Sequence, residues 1–296
     1  MMTTQQAVMT AQRASRRAKS TPVLRLIGRG FTYLFLSFGA LLMLFPFAWM
    51  ISLSLGSMND LWAIPPRYIP EAPSLGNYYT ALFEFPFMRY IRNTLVITGA
   101  SMVGQLLSST AGAYSFARLR WKGRDLVFIL VLGTMMMPPQ VTLIPTYVIW
   151  RILGALDTYA PLIIPGYLGS AFLTFLARQY FFSIPLELED AARVDGCGFF
   201  STYFRIMLPL AVPLMITLGL FSFVGHWNDF FGPLIYLTTP DKYNIQLGLM
   251  SFRGQYVTDV PALMAASVMV LMPTLVIFLF GQQYFIRSVV LSGLKG

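Results

Sequence analysis

Six long apolar runs, separated by shorter polar stretches, span most of this 296-residue chain. The first, about Phe31 to Leu55, follows an arm carrying Arg13, Arg16, Arg17, Lys19, Arg25 and Arg29 and no acid. It exceeds the roughly 7–15 residues of a signal-peptide core. At ~1.5 Å per residue it crosses a ~30 Å hydrocarbon layer with some tilt. The others run about Thr94–Phe116, Leu126–Val148, Tyr159–Ala177, Leu208–Trp227 and Ala262–Phe285. The pattern predicts an all-α, polytopic membrane protein with six transmembrane helices. It has a basic arm over residues 1–30 and a single membrane domain over 31–296. Pro138, Pro139, Pro145, Pro161 and Pro165 interrupt the third and fourth runs, freeing carbonyls that neighbouring helices or a water-lined cavity must satisfy.

An even number of spans puts both termini on one side, and the basic residues say which. Fifteen lysines and arginines fall in the arm, the Arg118–Arg124 loop, the Arg178–Arg205 segment and the tail, against six in the opposite loops. The positive-inside rule then makes both termini cytoplasmic. Composition agrees with a bilayer: 56% of residues are hydrophobic and 11% charged, against roughly 25% charged in soluble domains. The net charge of +9 is spread in clusters between apolar runs, so it reads as membrane orientation rather than nucleic-acid binding. One cysteine, Cys197, and one histidine, His226, exclude an internal disulfide, a cysteine cluster and a multi-histidine metal site.

Two of the opposite-side segments, 56–93 and 228–261, are long and aromatic, which suits either interfacial anchoring or a surface for an external partner. In the second run Ala100, Gly104, Ser108 and Gly112 recur every four residues, a small-residue ridge that permits close helix approach. Gln105 beside that ridge either ties helices together or lines a pathway. With Gln140 and Asn228 it makes up the candidate set of pathway residues.

The most unusual segment is Pro185–Phe204. Four of the twelve carboxylates, Glu187, Glu189, Asp190 and Asp195, fall there within nine positions. Pro185 suits a first helical turn, acids near the N-terminus favour the helix dipole, and Gly196 and Gly198 are stop signals. Glu189 and Arg193 are spaced for an i,i+4 pair. A second short helix, about Phe199 to Met207, leads to Leu208-Pro209. The aromatic surface of Phe199, Phe200, Tyr203 and Phe204 favours a cytoplasmic docking element over a solvated loop.

Asp190-Ala191-Ala192, three residues, Gly196, nine residues, Ile206, one residue, then Leu208-Pro209 resembles the E-A-A-x3-G-x9-I-x-L-P motif of membrane subunits of binding-protein-dependent ABC importers. Aspartate replaces the leading glutamate. The segments 92–125, 135–147, 227–234 and 281–296 are similar to maltose-type carbohydrate permeases, in particular the six-span partner of their heterodimers; residues 1–30 show no such likeness. The resemblance implies the type I importer permease fold and a coupling helix at about Leu186–Cys197. Glu189, Asp190, Ala191, Ala192, Asp195, Gly196, Ile206, Leu208 and Pro209 would couple it to a cytoplasmic ATPase. It further implies contacts of Gln255 and Tyr256 with an extracellular or periplasmic solute-binding protein, and of Ser292, Gly293, Leu294, Lys295 and Gly296 with the ATPases. The implied assembly holds a second homologous permease and two ATPase copies in the cytoplasmic (inner) membrane of a bacterium or archaeon.

The chain carries no G-x4-G-K-[S/T] phosphate loop, so ATP and Mg are expected on the partner ATPase and no cofactor on this chain. G-x-S-x-G and H-E-x-x-H are also absent, which fits a transport subunit rather than an enzyme. An ion-coupled transporter would hold ionisable groups at mid-membrane, and the interior runs lack central Asp and Glu. A permease for amino acids or peptides shares the short motif and is the alternative to a sugar permease.

Overall fold

A computed structural model of the protein describes residues 22–65, 67–252 and 259–293. Among these residues every regular element is helical. The chain forms two units, Met1–Ser52 and Leu53–Gly296. The first holds most of α1 (Pro22–Leu55), whose apolar part, Gly28–Leu55, exposes Phe31, Leu34, Phe38 and Leu41. Such a surface suits lipid rather than water.

The second unit is organised around α2 (Phe87–Arg118), which begins seven residues earlier than its apolar run suggests. The chain continues through α3 (Arg124–Gly133), α4 (Pro139–Ile152), α5 (Ala160–Tyr167) and α6 (Ala171–Ser183). Next come α7 (Glu187–Val194), α8 (Phe199–Leu210), α9 (Val212–Trp227), α10 (Phe231–Tyr236) and α11 (Val260–Gly293). α2 packs against α5, α6 and α9, and α9 packs against α11.

Among the described residues three helical stretches, Gly28–Leu55, Ala160–Ser183 (α5 and α6 together) and Val260–Gln283, are long and apolar enough to cross a membrane. They become five if each of two bent pairs counts as one crossing. The third run is not one straight helix: Arg124–Met136 and Pro139–Ile152 meet at 100°, where Pro138-Pro139 removes two amide donors. The fifth run starts later than its apolarity indicates, because Phe199–Leu210 is bent by 79° from Val212–Trp227. α2 is not among these apolar helices, for a different reason. Its buried positions include Asn93, Thr94, Thr98, Ser101, Ser109 and Thr110, which an all-round helical neighbourhood can satisfy.

The small-residue ridge performs the predicted close approach, shifted slightly along α2. Gly104 lies against the Tyr167 ring, Ser108 Oγ donates to the Gly166 carbonyl at 3.1 Å, and Gly112 faces Thr174. Ser101 donates to the Leu162 carbonyl at 3.0 Å and marks the tightest crossing. Part of the aromatic segment 228–261 folds inward, while Phe231, Leu234 and Met250 stay exposed. Ile245, Leu247 and Phe252 are buried, and Ile245 and Phe252 join Phe87, Tyr90 and Trp227 in one core cluster. Asn93 Nδ2 donates to the carbonyls of Asp241 and Tyr243, both at 2.9 Å, and Thr94 Oγ1 accepts from the Ile245 amide at 2.7 Å. Segment 56–93 divides: Phe87 and Tyr90 enter that core, while Trp62, Ile64, Tyr68 and Ile69 stay exposed.

Asp157 ties the loop after α4 to the segment after α10. It adopts φ 56°, which aspartate tolerates better than most side chains. Its carboxylate accepts from the Thr238 and Thr239 amides at 2.9 Å, the Thr239 hydroxyl at 2.6 Å and Lys242 Nζ at 2.8 Å. Lys242 first, then Thr239 and Thr238, hold its carboxyl well below the usual range.

Two predictions come from this packing. A Cβ at Gly166 would lie 2.7 Å from the Ser101 carbonyl oxygen, whereas one at Gly99 meets nothing within 4 Å. Gly166→Ala should therefore cost about 1–3 kcal/mol through overpacking, and Gly99→Ala should not destabilise, in thermal unfolding of the detergent-purified protein. A lowered carboxyl pKa contributes stability above the ordinary aspartate range, lost as pH falls through the lowered value. The protection factors of the Thr238 and Thr239 amides should thus be constant from neutral to mildly acidic pH and drop in strong acid. Asp157→Asn should lower them already at pH 7.

Candidate functional site

α6 ends at Ser183, and three residues later α7 begins with Leu186 as its N-cap. Leu186 makes no side-chain cap, so Glu187, Glu189 and Asp190 in the first turn complement the dipole instead. Pro185 stands just before the cap rather than within the first turn. At the other end Gly196 adopts φ 80°. Its N–H donates to the Arg193 carbonyl at 3.0 Å and the Cys197 N–H to the Ala192 carbonyl at 2.8 Å. This paired closure is a Schellman motif, and it needs a left-handed residue where glycine stands.

The eight residues of α7 present two unlike faces. Glu189 and Ala192 turn inward and are 2% and 3% exposed. Glu189 Oε1 meets Arg118 Nε, at the end of α2, at 3.0 Å, and both side chains are buried. The two atoms approach off the N–H direction, so their attraction is Coulombic rather than a well-aligned hydrogen bond. Arg118 also donates to the carbonyls of Phe181 and Ile184, where α6 ends. One guanidinium thus joins α2, α6 and α7. Burial pushes the Glu189 carboxyl above its usual range, and Arg118 offsets part of that rise.

The expected Glu189–Arg193 pair does not form. Arg193 approaches Asp190 instead, at 3.9 Å and in the open, where such a pair is worth roughly 0–1 kcal/mol. The outward face carries Glu187, Leu188, Asp190, Ala191, Val194 and Asp195, continued by Phe199 and Phe200. Val194 is 87% and Phe200 82% exposed, apolar surface in an otherwise charged rim. The alanine pair is therefore split: Ala191 is open to a partner, and Ala192 is packing.

α8 seats the loop on the bundle. It contains a wider π-helical turn over Tyr203–Met207, which buries Tyr203 and Met207. The Tyr203 hydroxyl lies 2.8 Å from Thr110 Oγ1, and its ring is 5.3 Å from that of Tyr114. Leu208 packs on the same cluster, Ile206 is half-buried and Pro209 is exposed.

A second feature lies further along α2. A cavity of about 430 Å³ opens where α5 and α6 separate at Gly169, and Gln105, His226, Asp229 and Tyr236 line it. Of the three candidate pathway residues, the structure brings only Gln105 there. Gln140 is exposed at the start of α4, and Asn228 bonds Val224 and Gln246 outside the cavity.

Comparison with known proteins places this architecture. Residues 104–290 match the family described as "Binding-protein-dependent transport system inner membrane component". The chain belongs to that family. It is 33% identical over 265 residues to a putative ABC transporter permease protein of Caldicellulosiruptor sp., covering 89% of this chain and 96% of the relative. It is 33% identical to the arabinooligosaccharides transport system permease protein of Bacillus subtilis, covering 89% and 94%. Among solved structures it is similar to a chain of a bacterial ABC transporter involved in import of the acidic polysaccharide alginate. That likeness has a TM-score of 0.80 at 25% identity and covers 90% of this chain and 98% of that one.

The family's loop motif thus falls on a bipartite element. Asp190, Ala191 and Asp195 are exposed, Gly196 supplies the turn, Glu189 and Leu208 hold the element to the bundle, Ala192 is buried and Ile206 is half-buried. Glu189, 2% exposed, faces the bundle rather than the open side of α7. Its inward turn was not readable from spacing, since its partner sits on another helix. Gln255 and Tyr256 lie outside the described residues, as do Leu294, Lys295 and Gly296; Ser292 and Gly293 are helical at the end of α11. His226, which the sequence singles out only as excluding a multi-histidine metal site, and Asp229 are not among the candidate pathway residues, although both line this cavity.

Removing one member of the buried pair should strand the other. Arg118→Met is expected to destabilise the detergent-purified protein by about 3–5 kcal/mol, and Arg118→Met with Glu189→Leu to recover much of that loss. Thermal unfolding of both variants reads this. An additive double mutant would show that the pair contributes nothing.

Proposed function

We propose that this chain is one of two permease subunits of an ATP-driven importer for an oligosaccharide or related polyhydroxylated solute. Its six spans put both termini in the cytoplasm, and α7 docks into a cleft of a cytoplasmic ATPase. A second, homologous permease completes the pathway, two ATPase copies hold the ATP and Mg, and an external solute-binding protein delivers the cargo. The observation that carries the reading is the two-faced α7, held from below by Arg118 and open above at Ala191 and Val194. A helix exposed on one face and fixed by a buried charge on the other can take up a push without slipping. The sugar class is supported by the arabinooligosaccharide and alginate systems to which the chain is similar. The basic loops and the lysine–arginine asymmetry support the orientation.

Bulk or charge on the outward face should uncouple transport. Ala191→Trp and Val194→Asp are expected to lower uptake at least tenfold in cells with unchanged amounts of the chain in the membrane. The ATPase should co-purify with these variants at a reduced ratio. Undiminished uptake in both would refute docking through α7, and import of trialanine with no saccharide taken up would refute the substrate class.

A further inference from the structure

The cavity beside Gln105 has its hydrogen-bonding polarity set by one buried serine. Ser222 is 3% exposed and donates its hydroxyl to Gln105 Oε1 at 2.7 Å. With that oxygen engaged, Gln105 is left with its amide Nε2, which has no partner among the described residues, as a donor. The Ser222 carbonyl lies 2.8 Å from His226 Nδ1. A carbonyl only accepts, so Nδ1 carries a proton, and in that tautomer Nε2 is the acceptor. Asp229 adds a second acceptor: Oδ1 takes the Gly232 amide at 3.0 Å, leaving Oδ2 without a partner among the described residues. Tyr236 contributes an aromatic ring, steadied by stacking on Tyr147 at 6.3 Å and by a 3.2 Å contact between its hydroxyl and Thr146.

One fixed donor, two acceptors and an aromatic wall suit a particular chemistry. A sugar hydroxyl both gives and accepts a hydrogen bond, and the C–H face of a pyranose or furanose ring packs on an aromatic ring. The cavity's volume of about 430 Å³ is toward the small end of the roughly 300–1,000 Å³ typical of small-molecule sites, room for one ring rather than a chain. Its position at the gap between α5 and α6 is where broken helices line solute sites in transporters. We infer that Gln105, His226, Asp229 and Tyr236 form a hydroxyl-recognising subsite within this chain, selective for one ring of a neutral saccharide or polyol. Ser222 is its positioning residue. The inference rests on the carbohydrate reading above.

The test uses the complete importer with its binding protein in proteoliposomes. Uptake of arabinotriose, galactobiose, maltose and sorbitol is measured, with trialanine as the non-sugar probe. For each solute imported, the rate is compared with that of its monodeoxy analogues, giving a ratio within each variant that is independent of how much complex assembles. The wild type should favour a parent solute over at least one deoxy analogue by about tenfold. His226→Leu and Gln105→Leu should each reduce that ratio about fivefold, while His226→Gln, which retains an acceptor, should keep it within about twofold. Ratios unchanged in both leucine variants, or lost equally in His226→Gln, would overturn the subsite while leaving the carbohydrate importer intact. If trialanine alone is imported, the functional reading falls, and the subsite with it. Should the leucine variants transport too slowly to measure, Ser222→Ala decides: loss of the ratio supports the subsite and its retention overturns it.

Discussion

Everything at the loop end of this protein depends on where one guanidinium goes. Arg118 closes α2, satisfies the last carbonyls of α6 and meets Glu189 of α7, all out of water. A charge in that position is expensive unless fully partnered, so the three helices can adopt few arrangements that keep it so. Apolar contacts alone would let α7 slide or roll, because they are not directional. The ion pair fixes which face of α7 points out, and thereby which side chains a partner would meet.

The same logic explains why the central helix is the least apolar of the long ones. α2 is surrounded by α5, α6 and α9, so most of its buried serines and threonines and Asn93 find partners within the protein rather than facing lipid; the buried Thr98 hydroxyl is an exception. Ser101, Ser108 and Asn93 each bond a backbone carbonyl of another segment. Such bonds compensate for the weak drive for helices to associate inside a bilayer. The Gly28–Leu55 part of α1 and the Val260–Gln283 part of α11 have the opposite composition, strongly apolar and little buried.

How much of this was legible in the sequence depended on the range of the interaction. The Gly196 turn and the small-residue ridge are local patterns and appear where spacing put them; the helical runs also appear, but with ends shifted by up to several residues and the third run bent. The partner of Glu189 was misread because an i,i+4 neighbour was visible and the true partner was on a distant helix. A surface pair contributes only tenths of a kcal/mol, so local spacing is easily overruled by burial. The 100° bend at Pro138-Pro139 left its prolines in view, but their consequence for direction was not readable. Polarity within an apolar run does not say which face a residue occupies: Gln105 lines the cavity, Gln140 is exposed at the start of α4 and Asn228 bonds Val224 and Gln246. The inward folding of Ile245–Phe252 was hidden because aromatic residues suit an interface, a partner or a core equally well.

α2 is unbroken from Phe87 to Arg118, with Gln105 roughly midway. At ~1.5 Å per residue Gln105 and Arg118 lie about 20 Å apart along one rod. A rod of that length pivoting by about 3° would move its far point by about 1 Å, a third of a hydrogen-bond length. Stiffness, then, is what the absence of proline and of any break in α2 contributes. A small tilt entering at the arginine arrives at the glutamine as a change of reach, without any intervening joint to absorb it.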